Sequence, residues 1–198
     1  EITTGIALSG IKHGSRLNVH YARMGKPTFN YNVITSARLI AEMLAAADMD
    51  TTFDTYHPVV STMMPTSNKN LCDFLHKWVE TGFKFGGEDG FGLQFSINTL
   101  DENQRNKMFR NKSLSLQEIS DMIKTLPMPK KRKYTLNFAV TSKCNLDVSL
   151  MNKYFDKEKC IVKITPIHET VEAVNEGYEI VTDFDVYEKF EQPLVRDG

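Results

Sequence analysis

With 198 residues, of which 41% are apolar, the chain can bury a sizeable core, and we expect a single domain over residues 1–198. The formal net charge of −1 gives no overall attraction to a polyanion, so any contact with nucleic acid has to come from a local patch. No apolar run approaches the roughly 20 residues that cross a bilayer, and the three cysteines are widely spaced, as is typical of reduced thiols, which together predict a cytoplasmic protein without a membrane segment.

Strand-forming runs alternate with helical apolar spacings along the chain. In chain order they predict a strand over 17–24, a helix over 32–48, a strand over 53–62, a helix over 67–81, a strand over 93–99, helices starting at Asp101 and Ser115, a strand over 132–141, a helix over 145–155, a strand over 160–166 and a helix over 183–190. Gly82 is expected to stop the second helix. The glycine-rich segment 86–92 lacks the lysine and hydroxyl of a phosphate-binding loop, so we interpret it as a flexible connection.

Strands that alternate with helices imply right-handed crossovers and a parallel sheet, so the predicted fold class is α/β. The predicted units fit either a barrel or an open doubly wound sheet. In both architectures ligands bind at the carboxyl ends of the strands, where loops converge and helix N-termini present free N–H groups. The candidate site residues are therefore those that end or follow the strands.

The predicted strand ends are rich in hydroxyl and amide side chains. They are segments 25–27, 61–62, 96–99, 141–142 and 165–168. This lining suits a polar ligand held by hydrogen bonds, because no carboxylate pair, Ser–His–Asp set or Cys–His set stands out. Taken singly, each Ser or Thr is also explained as a helix N-cap or a turn former. Because none of these sets is present, we predict no catalytic residue in this chain. The histidines lack the spacing of metal ligands, so we also predict no metal ligand.

The most concentrated charge is the basic cluster Lys130, Lys131, Arg132 and Lys133, which directly precedes a predicted strand. That position favours a solvated connection. Two alternatives remain open, namely a patch through which these four residues contact RNA, and a nuclear localisation signal.

Four of the polar segments form short motifs. Their order and spacing along the chain are together more specific than any single motif. They are Met24-Gly25-Lys26-Pro27 with Asn30, Val60-Ser61-Thr62 with Pro65, Phe95-Ser96-Ile97-Asn98 with Asp101, Glu102 and Arg105, and Lys163-Ile164-Thr165-Pro166-Ile167-His168. Together they resemble the Met-Gly-Glu-Pro, Leu-Ser-Thr, Leu-Ser-Leu-His and Leu-Ile-Pro-Trp-Asn motifs of the radical S-adenosylmethionine (radical SAM) superfamily, in the branch of the bacterial ribosomal RNA adenine-C2 methyltransferases. The resemblance runs from about Leu17 to about Glu179.

The resemblance implies a partial (β/α) barrel with parallel strands and outer helices that binds S-adenosylmethionine. It places Gly25 and Lys26 near the methionine part of the cofactor. It also implies a [4Fe-4S] cluster, cleavage of the cofactor to a 5′-deoxyadenosyl radical, RNA as a possible substrate and an electron donor such as flavodoxin or ferredoxin. Nearer the ribose it places Ser61, Ser96, Asn98 and His168.

The sequence departs from the family pattern at several points. Lys26 stands where the branch has glutamate, and an ammonium cannot accept a hydrogen bond from the amino group of the cofactor. Asn98 and His168 stand where the branch has histidine and asparagine. The CxxxCxxC motif that holds the cluster and the late cysteine used in methyl transfer are both absent. We therefore expect a central piece of a longer enzyme, trimmed at both ends and inactive alone; a degenerate homologue is the alternative.

Two further classes of function are compatible with the residues. The first is a non-radical α/β protein that binds a nucleotide or phosphate ligand at the same strand ends. The second is a non-catalytic RNA-binding module that uses the basic cluster.

Overall fold

The computed structural model describes residues 2–22, 26–46, 52–141, 144, 146–167, 174–175, 177, 186, 188 and 192–197. Its strands are β1 (His13–Tyr21), β2 (Thr52–Thr62), β3 (Gly92–Ser96), β4 (Tyr134–Val140) and β5 (Cys160–Pro166). Its helices are α1 (Ile2–Ser9), α2 (Asn32–Ala45), α3 (Leu71–Phe85), α4 (Glu102–Met108), α5 (Leu116–Thr125), α6 (Val148–Tyr154) and α7 (Gln192–Asp197).

The strands form one five-stranded sheet in the order β1-β2-β3-β4-β5. The pairs β1–β2, β3–β4 and β4–β5 are parallel, which confirms the predicted α/β class with a parallel sheet. Among the described residues, no helix has both the length and the apolar character needed to span a membrane.

The chain divides into two compact units, and the single domain expected from the sequence stays a prediction. Unit 1 consists of Glu1–Ser61, Asn70–Leu93 and Pro129–Arg132. Unit 2 consists of Thr62–Lys69, Gln94–Met128 and Lys133–Gly198.

In unit 1 the core is built around Trp78 of α3. This side chain is fully buried, and its ring contacts those of Tyr21 and Phe91. Its indole Nε1 donates a hydrogen bond to the carbonyl oxygen of Gly92 at 3.0 Å. Burial of an indole is favourable when its N–H finds an acceptor, so this bond lets the largest side chain of the unit pack against the start of β3.

The prediction that Gly82 stops the second helix is wrong. Helix α3 continues to Phe85, and Gly82 lies inside it at a close approach to the chain around Phe91. A Cβ at this position would lie 2.5 Å from the backbone nitrogen of Phe91. Glycine is therefore needed here for packing and not for termination.

Strand β4 shows the alternation that defines the two faces of the sheet in unit 2. The residues Tyr134, Leu136, Phe138 and Val140 are buried, whereas the residues between them are partly exposed. The ammonium group of Lys159, only 9% exposed, donates to the carbonyl oxygens that end α5. These acceptors are Ile123 at 3.2 Å, Lys124 at 2.9 Å and Leu126 at 2.6 Å.

Helices α4, α5 and α6 of unit 2 begin with side-chain caps. Asp101 accepts from two backbone N–H groups at the start of α4, and Asp147 accepts from the N–H of Leu150 in α6. The predicted capping box of Ser115 and Glu118 is confirmed at the start of α5. In unit 1, by contrast, α3 begins at Asn70 without a side-chain cap hydrogen bond.

The strands over 53–62 and 160–166 are confirmed, the first with one additional residue. The first strand, His13–Tyr21, starts four residues and ends three residues earlier than predicted, and the helix expected over 145–155 is the shorter Val148–Tyr154. Helix α1 was not predicted. The helix expected over 183–190 lies outside the described residues except for 186 and 188.

Candidate functional site

Four of the six predicted cofactor-binding residues are described. Gly25 and His168 lie outside the described residues, as does Ser142 at the fourth strand end. Lys26 and Ser61 belong to unit 1, and Ser96 and Asn98 belong to unit 2.

Lys26 follows the end of β1 and precedes a 3-10 helix over Pro27–Phe29. Its backbone has φ 43° and ψ 83°, in the left-handed region that non-glycine residues rarely adopt. Its ammonium group lies over the ring of Phe29, 5.6 Å from the centroid. The backbone conformation is the kind of local strain that is often found where a loop contacts a ligand.

Ser61 lies at the carboxyl end of β2, where its hydroxyl is 2.7 Å from Nε2 of His20 on β1. The two side chains form a hydrogen-bonded pair across adjacent strands. Sequence reasoning missed His20 as a partner, because it considered the histidines only for metal-ligand spacing. The pair places a hydroxyl and an imidazole side by side at this strand end.

Strand β3 ends at Ser96, three residues earlier than predicted. Asn98 has φ 66°, which turns the chain out of the sheet. The backbone N–H groups of Ile97 and Asn98 both donate to the carbonyl oxygen of Asn137, at 2.9 Å and 3.1 Å. The loop that carries the predicted ribose contacts is therefore fixed by the neighbouring strand.

The same loop is held from the other side by Arg105 of α4, which is only 1% exposed. Its Nη1 donates to the carbonyl oxygens of Ser96 and Ile97, and its Nη2 donates to the hydroxyl of Ser113. Burial lowers the pKa of this guanidinium to about 10, while nearby Glu102 acts in the opposite direction. Arg105 belongs to the segment that resembles the family motif, but its contacts with the end of β3 could not be inferred from the sequence.

Met64, which follows β2, shares the left-handed conformation seen after β1 and β3. Its φ is 58°, compared with 43° at Lys26 and 66° at Asn98. Three strand ends in chain order are thus each followed by a non-glycine residue with positive φ. Such conformations persist only where the surrounding structure imposes them, and they concentrate at ligand-binding sites.

On the less buried face of unit 2, Asn137 and Thr165 form a second hydrogen-bonded pair. Thr165 Oγ1 donates to Oδ1 of Asn137 at 3.0 Å, and Asn137 is in register with Ser96 on β3. Neither residue pairs with a carboxylate or forms a nucleophile–base arrangement. This part of the sheet can therefore hold a polar ligand by hydrogen bonds, but it offers no group for bond making.

The three lysine side chains of the basic cluster are used within the chain. In unit 1, Lys130 donates to the carbonyl oxygen of Phe83 at 3.1 Å, and Lys131 pairs with Glu88. In unit 2, Lys133 donates to the carbonyl oxygen of Lys157 at 2.7 Å. These bonds agree with a structured connection before β4, and contact with RNA stays a prediction.

The cysteines do not form a cluster-binding arrangement in the part of the chain that the structure describes. Cys72 is exposed, Cys144 is half-buried and Cys160 is buried. Burial raises the pKa of the Cys160 thiol to about 12, so it is protonated at neutral pH. No group of three or more His, Cys, Asp or Glu side chains comes together as a metal site among these residues.

Comparison of the chain with protein-family models, with curated proteins and with solved structures gives no match. What the chain does has therefore to be inferred from its own residues. Those residues offer polar strand ends, two hydrogen-bonded side-chain pairs and one loop that is fixed by a buried arginine.

Proposed function

We propose that this chain is the central part of a radical SAM enzyme, in which its parallel strands and outer helices form part of a (β/α) barrel. Its strand ends bind and orient S-adenosylmethionine. The [4Fe-4S] cluster does not fit the described residues, since its thiolate ligands are missing here, and we assign its ligands to residues outside this sequence. The strand-end residues of this chain would hold and orient the cofactor; its one-electron cleavage to methionine and a 5′-deoxyadenosyl radical would depend on a cluster held by residues outside this sequence.

The end of β3 is the observation that carries this proposal. Ser96 ends a buried strand and Asn98 follows it, and the backbone between them is fixed by Arg105 and by the carbonyl oxygen of Asn137. A preorganised loop avoids the cost of ordering its backbone on binding. Hydroxyl and amide side chains on such a loop are suited to the hydroxyls of a ribose, because each can both donate and accept.

The other strand ends support the proposal through their chemistry. The ammonium group of Lys26 is a donor without acceptor capacity, so we assign it to the carboxylate of the methionine part of the cofactor and not to its amino group. Gly25 would let the backbone approach the same part closely. Ser61 and His168 are assigned to the ribose side, with His20 orienting the hydroxyl of Ser61.

The test is calorimetric titration of S-adenosylmethionine into the full-length protein and its Asn98→Gly variant. Glycine adopts the left-handed backbone readily and removes the whole side chain with its amide group. Loss of one or two hydrogen bonds is expected to weaken binding by about tenfold. The matched control is Asn111→Gly, because Asn111 also has positive φ, at 56°, but does not follow a strand.

Equal affinity of the Asn98→Gly and wild-type proteins for S-adenosylmethionine would show that Asn98 does not contact the cofactor. Absence of iron and sulfide from the anaerobically purified full-length protein would exclude the radical reaction. If a nucleotide binds in the same titration and S-adenosylmethionine does not, the alternative of a non-radical nucleotide-binding protein is correct.

A further inference from the structure

A cluster of charged side chains lies along the first half of β1 and the middle of β2 in unit 1, apart from the strand ends described above. In the parallel pair β1–β2, Arg16 is in register with Thr55 and Asn18 with His57. Since side chains alternate along a strand, Arg16, Asn18 and His57 lie on the same face of the sheet. The face therefore brings a guanidinium next to an imidazole.

A second guanidinium is placed beside the start of β3 by the absence of a side chain at Gly92. A Cβ at Gly92 would lie 2.7 Å from Cζ of Arg132 and 2.8 Å from its Nη1. Glycine is thus required for the guanidinium of Arg132 to lie where it does. The Nη1 atom is buried and has no hydrogen-bond partner among the described residues. A buried donor of this kind calls for a partner such as a water, an ion or a ligand.

The charged groups that act on His57 are two guanidinium groups and one carboxylate. A carboxylate oxygen of Asp89 lies 3.0 Å from Nε2 of His57. Burial lowers the pKa of His57, and the guanidinium groups of Arg132 and Arg16 lower it further, while Asp89 opposes them. Two guanidinium groups thus face one carboxylate. The neighbouring Lys131 is paired with Glu88 and adds no net charge.

We propose that Arg16, Arg132 and His57 form an anion-binding site on this face of unit 1, which takes the phosphate or carboxylate group of a small ligand. A guanidinium offers two parallel N–H groups to such an anion, and a fixed guanidinium loses little freedom on binding. The site does not depend on the cofactor proposed above, because none of its residues belongs to the strand ends assigned to that cofactor.

The experiment is an NMR titration of the full-length protein with inorganic phosphate, and separately with acetate, at low and constant ionic strength. Saturable shifts of the amide signals of Gly92 and His57 are expected with at least one of the two anions. The anion that binds with the higher affinity shows whether the site prefers a phosphate or a carboxylate group. In the Arg16→Gln variant the affinity should fall at least tenfold, and since Arg16 is exposed this variant should keep the fold.

Arg38→Gln is the matched control, because Arg38 also lies in unit 1 but pairs with Glu42 on the surface of α2. Its anion affinity should equal that of the wild type. Linear, unsaturable shifts with both anions, or an equal loss in the Arg16→Gln and Arg38→Gln variants, would overturn the proposal. Binding of S-adenosylmethionine should be unchanged in Arg16→Gln, so failure of the anion site and failure of the cofactor assignment give different results.

Discussion

The guanidinium of Arg105 donates a hydrogen bond to the carbonyl oxygen of Ser96 at 3.0 Å, and thereby ties helix α4 to the last residue of β3. An additional bond to the next carbonyl oxygen holds the chain just before Asn98 turns out of the sheet. A buried cation is costly unless its donors are satisfied. Here several protein oxygens accept from it, so Arg105 converts a strand end into a fixed loop.

Replacement of Arg105 by lysine should therefore destabilise the protein although it keeps the charge. Lysine has no planar fork, so it cannot serve Ser96, Ile97 and Ser113 together. We expect the free energy of unfolding to fall by about 2–4 kcal/mol, as measured by urea titration. Arg110→Lys on the exposed surface is the control, and a similar loss in both variants would contradict this role.

Substitution of Lys159 by methionine tests the cap at the end of α5. The ammonium group satisfies three carbonyl oxygens, and methionine keeps most of the side-chain volume while removing every donor. We expect a loss of about 1–3 kcal/mol in the free energy of unfolding. Lys107→Met on the exposed face of α4 should stay within about 0.5 kcal/mol of the wild type.

The close approach at Gly82 predicts that alanine is not tolerated there. A Cβ would meet backbone and Cβ atoms of Phe91, which cannot move without shifting the start of β3. The expected loss is about 1–3 kcal/mol by thermal or urea unfolding. Gly5→Ala in α1 is the opposite case, since a Cβ there meets nothing within 4 Å and alanine should be neutral or slightly stabilising. If the two substitutions have the same effect, the packing explanation is wrong.

The environment of His57 predicts a dependence of stability on pH. Its pKa is lowered from the ordinary value of 6.5, chiefly by burial and then by Arg132 and Arg16. The unfolded chain therefore binds a proton at a higher pH than the folded one. The contribution of His57 to the free energy of unfolding is fully present above pH 6.5. It is lost as the pH falls from there through the lowered pKa of the folded state.

Urea unfolding measured at several pH values checks this prediction. In the wild type the free energy of unfolding should decline below about pH 6.5, and His57→Gln should decline less over the same range. The difference between the two curves isolates His57 from other groups that titrate. Parallel curves would show that the folded protein does not resist protonation of this imidazole.

The sequence was sufficient to predict local features of the fold but not its long-range packing. Strands β2 and β5 and the capping box of α5 follow from β-branched runs and from a cap pattern within four residues. The role of Gly82 does not follow from the local sequence, because glycine is needed there to make room for Phe91. Only the fold brings Phe91 next to Gly82.

The candidate site shows the same division between local and distant signals. Polar strand ends are visible in the sequence, whereas their partners depend on strand register. His20 and Ser61 are 41 residues apart, and Asn137 and Thr165 are 28 apart. No spacing rule predicts pairs of this kind, since a shift of one residue in register would turn each side chain to the other face.

The uneven capping of the helices has a consequence for how the molecule opens. The first-turn amides of α4, α5 and α6 donate to Asp101, Ser115 and Asp147, whereas Asn70 supplies no such bond to α3. Amide protons at the start of α3 should therefore exchange with deuterium sooner than those of the capped turns. Because Cys72 lies in that first turn with its thiol already exposed, fraying there would open its backbone amide to exchange, while alkylation of the thiol would need no opening.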